Sequence, residues 1–134
     1  MVVFVYIYIY IQESLKFTNI SLQKHCKEQD VEIIAVLLKL NKKNLIIFCV
    51  YRAPSGDFHY FLNKFYYILN SLQTNKTEFI IPGNININYL GNSNKMKQLD
   101  YMLGTYNSIS TVYFPTRTAK NSATLIDNVD TPTL

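Results

Sequence analysis

Apolar and polar positions alternate between long runs and one-sided stripes along this chain. Residues 2–11 (VVFVYIYIYI) are almost wholly β-branched or aromatic and read as a strand. Residues 12–19 are polar and read as a turn, and residues 20–29 as a short amphipathic helix or loop. Residues 31–40 (VEIIAVLLKL) and 45–52 (LIIFCVYR) are apolar and separated by Asn41-Lys42-Lys43-Asn44, so the stretch predicts an antiparallel hairpin. Ala53-Pro54-Ser55-Gly56 breaks the second strand. Asp57 is placed to cap a helix running to about Gln73, in which Phe58, Phe61, Leu62, Phe65, Ile68, Leu69 and Leu72 make one apolar stripe. Residues 78–81 predict a fourth strand. Ser93 or Asn94 caps a second helix to about Tyr106, with Met96, Leu99, Met102 and Leu103 turned inward. A short strand is expected over residues 110–114, a loop over 115–118, and a last strand over 124–126 that ends at Asp127.

The predicted order is strand, hairpin, helix, strand, helix, strand, strand. That order defines an α/β chain, α+β in its hairpin, with helices outside one sheet or outside two stacked sheets. At 134 residues it is one domain or part of one, without repeats, low-complexity tracts or an internal linker. The balance of 49% hydrophobic and 16% charged residues is globular. The net charge of +4 and pI near 9.0 fit a nucleic-acid partner and equally fit a lysine-rich composition.

Cys26 and Cys49 make no disulfide framework and no metal-binding spacing. His25 and His59 stand alone and read as structural or surface residues. The apolar start is shorter than the roughly 20 residues that span a bilayer, and it lacks the basic flank and cleavage site of a signal peptide. An intracellular chain with no membrane partner is therefore expected. Asn19-Ile20-Ser21 and Asn75-Lys76-Thr77 match the glycosylation pattern by chance in so asparagine-rich a sequence.

The candidate chemistry begins at Gly83-Asn84-Ile85-Asn86-Ile87-Asn88, where a buried strand opens into a polar loop. On an extended backbone its three asparagines would share one face. All three are amides, which hold a phosphate or metal weakly and take no proton near neutrality. Two further segments join it: Tyr51-Arg52-Ala53-Pro54-Ser55-Gly56, and Asn121-Ser122-Ala123-Thr124-Leu125-Ile126-Asp127-Asn128. Strand ends converging on one rim would set a tyrosine, polar amides and an aspartate together. Those are elements of a phosphoester site, which also needs carboxylates for a divalent metal and a base for water.

YRxPSG, a helix, GxxNI, a helix and PTRxxxxSATLIDN in this order resemble the endonuclease/exonuclease/phosphatase superfamily, specifically the endonuclease domain of LINE-type non-LTR retrotransposons. The resemblance runs from about residue 5 to residue 130. It implies a four-layer αββα sandwich, of which residues 1–134 would be a partial domain lacking its first and last segments. It implies Mg²⁺-dependent hydrolysis of a DNA phosphodiester, and a nuclear site of action if functional. By this resemblance Tyr51 matches the tyrosine beside the phosphate. Asn84 stands where the pattern carries its catalytic aspartate. Asn86 matches an asparagine that holds phosphate and base, Asn88 replaces a second aspartate, and Asp127 matches the aspartate that orients a catalytic histidine.

The family's metal-binding glutamate and its Ser-Asp-His segment have no counterpart here, and Glu13 reads as an exposed turn residue. No residue is therefore assigned as a metal ligand. The leading expectation is a fragment of such an endonuclease with impaired catalysis. The alternatives are a non-catalytic nucleic-acid-binding module or a non-functional remnant of an element. Clustering of Lys39, Lys42, Lys43, Lys95, Lys97, Arg117 and Lys120 on one face would favour the binding module.

Overall fold

Alternation in residues 31–52 sets the middle of the sheet. In the computed structural model, strand β2 (Val31–Lys39) pairs antiparallel with β3 (Asn44–Arg52), in a register running from Val31 opposite Arg52 to Lys39 opposite Asn44. One face carries Val31, Ile33, Ala35, Ile46, Phe48 and Val50 into the main core. The other carries Glu32, Ile34, Val36, Leu38, Ile47, Cys49 and Tyr51. Ahead of the hairpin, β1 (Phe17–Ile20) adds antiparallel to β2, followed by a short 3-10 helix (Gln23–His25).

The structure describes residues 9–27, 29–88, 90–91, 93–110, 117–120, 122–124 and 127–132. Within these, the side chains at 109, 110, 117, 119, 122–124 and 127 lie outside the description.

Helix α1 (Phe58–Leu72) starts where Asp57 accepts the Tyr60 backbone N–H at 3.1 Å, the expected cap. Its stripe of Phe58, Phe61, Phe65, Ile68 and Leu69 covers the sheet's core face. Phe48 meets Phe65 edge-on at 5.6 Å and Phe79 at 5.6 Å, so aromatic packing joins helix to sheet. The chain returns as β4 (Thr77–Asn84), parallel to β3. Helix α2 (Asn94–Thr105) is capped by Ser93, whose hydroxyl accepts the Met96 N–H at 3.2 Å. It buries Met96, Leu99, Met102 and Leu103, as its stripe predicts, and Asn107 follows in a left-handed conformation (φ 57°).

After α2 come β5 (Ser108–Ser110), β6 (Arg117–Ala119), β7 (Ser122–Thr124) and β8 (Asp127–Pro132). The six-stranded sheet runs β1-β2-β3-β4-β8-β5, and β6 with β7 forms a separate two-stranded ribbon. The fold class is the expected α/β, and the described residues supply one large sheet, the β6–β7 ribbon and the helix layer on one face of the large sheet.

Several expectations need correction. Residues 17–20 pair as an edge strand where a turn was expected over 12–19 and a helix or loop from 20; three of its four residues are exposed, so it carries no apolar run. Of the strand expected over residues 2–11, residues 2–8 lie outside the described residues, and 9–11 carry no strand. Residues 117–119 form β6, although a loop was expected over 115–118; residues 115 and 116 lie outside the described residues. The short strand falls at 108–110, and 111–114 lie outside the description. Asp127 begins a strand instead of ending one. Residues 127–132 (DNVDTP) lack apolar alternation because the residues turned to the core face, Asn128 and Asp130, are polar and buried.

Candidate functional site

Three ladders place the candidate residues. Glu32 lies opposite Tyr51 between β2 and β3, Tyr51 opposite Asn84 between β3 and β4, and Asn84 opposite Asp127 between β4 and β8. Paired residues share a sheet face, so Glu32, Tyr51 and Asn84 stand in one transverse row on the face away from the helices, and Asp127 takes the next register position of that row. At the usual strand spacing the row spans about 15 Å. Because β8 runs antiparallel to β4, the start of β8 meets the end of β4, which brings Asp127 to this rim. The Asp127 side chain itself lies outside the described part of the structure.

The strand reaches this rim through a close contact. Pro82 has no N–H, and the β3–β4 ladder skips from Ile47–Ile80 to Val50–Gly83. A Cβ on Gly83 would stand 2.3 Å from the Val50 carbonyl oxygen, so only glycine lets β4 lie this close.

Beyond Asn84 the extended backbone ends, and the three asparagines do not share a face. Asn84 Oδ1 accepts the Asn86 N–H at 3.0 Å, a local turn closed by a side chain. Asn86 is left-handed (φ 52°), and its Nδ2 donates to the Arg52 carbonyl at 2.7 Å. Asn88 Oδ1 accepts the Leu90 N–H at 3.1 Å. Ile85 and Ile87 are buried in the core and anchor the loop from below.

Arg52 holds this loop. The residue is 3% exposed, and its guanidinium donates Nε to Ile85 O at 2.8 Å, Nη1 to Gly56 O at 2.6 Å and Nη2 to Asn86 O at 3.2 Å. Burial lowers the guanidinium pKa, while Asp30 and Asp57 raise it. Arg52 and Asn86 thus bind each other's backbones with their side chains.

Among the described side chains of the row, the free groups are neutral. Among the described residues the Tyr51 hydroxyl has no hydrogen-bond partner, and the Asn84 Nδ2 donor is unused. Glu32 adds a carboxylate that the sequence reading passed over; the hairpin register, counted back from its turn, is the signal that finds it. Glu13 is exposed, as expected. His59 is exposed, and His25 is buried against Tyr67 at 5.5 Å. Burial, with Lys24 and Lys64 nearby, holds the His25 imidazole below its usual value.

Among the described residues, the basic side chains whose clustering would favour a binding module are not gathered on one face. Lys39 closes β2 and Lys42 and Lys43 sit in the hairpin turn, at the end of the sheet opposite the rim. Lys43 pairs with Glu78. Lys95 and Lys97 open α2, which leaves from the rim. Lys120 lies beside the β6–β7 ribbon, and the Arg117 side chain is outside the description.

The sheet order, the β3–α1–β4 crossover and the helices on one face match the endonuclease/exonuclease/phosphatase type of fold of the solved structures that follow. The chain superposes on the endonuclease domain of TRAS1, a telomere-specific non-LTR retrotransposon, with a TM-score of 0.68 at 14% identity. It also superposes on an endonuclease/exonuclease/phosphatase family protein from Leptotrichia buccalis (TM-score 0.52, 9% identity). A β-hairpin deletion mutant of beta toxin from Staphylococcus aureus gives a TM-score of 0.50 at 12% identity. These alignments cover 90%, 75% and 78% of this chain and 57%, 42% and 44% of those chains, so the chain spans about half the length of the structures it matches. At such identities the likeness shows the fold. No protein-family model and no curated protein matches the sequence.

The resemblance implies Mg²⁺, and the row tests whether this chain fits it. A hard cation takes several oxygens with carboxylates among them. Among the described residues no three acidic, histidine or cysteine side chains gather to hold a metal. At the row's centre Asn84 offers one neutral oxygen, already accepting the Asn86 N–H. The described residues do not fit a resident Mg²⁺.

Proposed function

We propose that this chain is part of a retrotransposon-type endonuclease domain whose rim contacts nucleic-acid phosphodiesters but cleaves them poorly or not at all. The observation that carries the reading is the row Glu32–Tyr51–Asn84–Asp127 across four neighbouring strands. Its free donors, the Tyr51 hydroxyl and the Asn84 amide, suit a phosphate oxygen. Its central position carries an amide where general-base chemistry needs a carboxylate, and loss of a positioned base costs about 10²–10⁴-fold in rate. DNA as the partner, and nuclear action, belong to this proposal and rest on the resemblance.

The test is nicking of supercoiled plasmid by the purified chain with Mg²⁺ or Mn²⁺. The expected result is a rate no higher than that of an Asp127→Ala, Asn86→Ala double variant. Metal-dependent nicking clearly above that control overturns the impaired reading. Asn84→Asp is the informative companion, because a carboxylate oxygen accepts the same Asn86 N–H and leaves the loop in place. If it nicks while the unaltered chain does not, the amide at position 84 is the block.

A further inference from the structure

Cations lie over aromatic rings at the first turn of α1. Arg52 and Lys95 lie over the Phe58 ring at 5.9 and 5.8 Å, and Lys27 and Lys64 over Tyr60 at 5.4 and 5.6 Å. Farther along, the 3-10 helix and α1 enclose an open cleft of about 470 Å³ lined by Lys24, His25, Asn63, Lys64 and Tyr67. Asn63, Lys64 and Tyr67 share one helix face by their three- and four-residue spacing. Tyr67 is 59% exposed, and no carboxylate lines the cleft among the described residues. His25 forms its wall, 8% exposed, with Nδ1 lacking a hydrogen-bond partner.

We propose that this cleft binds single-stranded nucleic acid, with Lys24 and Lys64 on backbone phosphates and Tyr67 beneath one base. Lysine ammonium groups on flexible stems suit phosphates met at varied angles. An exposed tyrosine ring offers a stacking platform indifferent to base identity. A duplex keeps its base faces covered by their neighbours, so Tyr67 selects for a single strand. The Asn63 amide stands within the same lining for a sugar or base edge. The proposal goes beyond the rim reading and needs nothing from Asn84.

The experiment is fluorescence anisotropy with a labelled twelve-nucleotide oligothymidine, read across a salt series. Lys24→Glu/Lys64→Glu is compared with Lys39→Glu/Lys42→Glu, which changes net charge equally at the β2–β3 hairpin turn, outside the cleft. The cleft variant is expected to bind at least about tenfold more weakly at low salt, with the log–log salt slope reduced by about 1.4, the share of two single-strand phosphates. Tyr67→Ala is expected to weaken binding by about 5- to 150-fold, the usual worth of one stacked base, with the slope unchanged. Lys24→Gln/Lys64→Gln, checked by thermal melting, gives the same direction at smaller size and separates binding loss from unfolding. Equal losses in the cleft and control variants overturn the proposal. So does a silent Tyr67→Ala when inorganic polyphosphate competes as well as the oligonucleotide, or a duplex that binds as tightly with the same Tyr67 dependence. The cleft losses are read against the charge-matched control in a binding assay, whereas nicking reads cleavage at the rim, so failure here and failure of the nicking test are told apart.

Discussion

Arg52 and Asn86 hold each other's backbone in place. A buried guanidinium satisfies three carbonyls that would otherwise face the core edge without donors, and Asn86 returns a bond to the Arg52 carbonyl. Arg52→Met leaves those acceptors buried and unsatisfied, and is expected to cost about 3 kcal/mol or more in urea denaturation. Arg52→Lys keeps the charge but has one donor head where the loop needs a fork, so it is expected to recover only part of that loss. At position 86 the two contributions separate. Asn86→Gly keeps the left-handed conformation and loses the amide bond, whereas Asn86→Ala loses both, and the difference is expected to be about 1 kcal/mol in favour of glycine. Equal stabilities for the two would mean that φ 52° carries no strain at this site. The sequence located Asn84 and Asn86 by their motif. It did not reveal that the Asn86 amide is engaged by a backbone 34 residues away, because that contact exists only once β3 and β4 lie side by side.

The elements most legible in the sequence are those whose burial has a period. Both helices and both caps fall where the apolar stripes and Asp57 and Ser93 place them. The hairpin follows from its alternation. Strands β1 and β8 escaped because neither has an apolar face: β1 is an exposed edge, and β8 turns Asn128 and Asp130 inward. Strand β4 is a mixed case, since its apolar stretch is plain while Pro82-Gly83 looks like its end. The ladder instead resumes at Gly83 and continues to Asn84, past a proline that strands seldom tolerate at a sheet's centre. The close approach to Val50 makes this possible, so Gly83→Ala must push β4 away from β3. Overpacking of this kind costs about 1–3 kcal/mol. The expected outcome is a lower urea midpoint, together with faster amide exchange at Tyr51 and Asn84 than at Ile46 and Ile47. Uniform loss of protection along β3 and β4 would mean the contact is not local to the rim.

At the scale of the whole molecule, buried titratable groups set how stability responds to pH. The chain carries +4 at neutrality with its histidines uncharged. His25 sits between the 3-10 helix and α1, where burial first, and then Lys24 and Lys64, disfavour its cation. Its folded pKa lies below the ordinary 6.5, so as pH falls the unfolded chain takes up the proton first. The associated stability is complete above pH 6.5 and is lost as pH falls from there toward the folded value. Two carboxylates bracket the effect. Asp57, lowered mainly by the Tyr60 N–H, keeps its contribution until below the usual 3.8 and is silent in this window. Asp100, raised by burial, has the opposite sign and gains stability as it is protonated. The melting temperature is therefore expected to fall between pH 7.5 and 5.5 in the unaltered chain. His25→Phe, which keeps a ring against Tyr67 and cannot be protonated, should flatten that fall or reverse it slightly. Added salt should shrink the part due to Lys24 and Lys64 and leave the part due to burial. A His25→Phe chain whose melting temperature still falls as steeply would place the pH response elsewhere in the molecule.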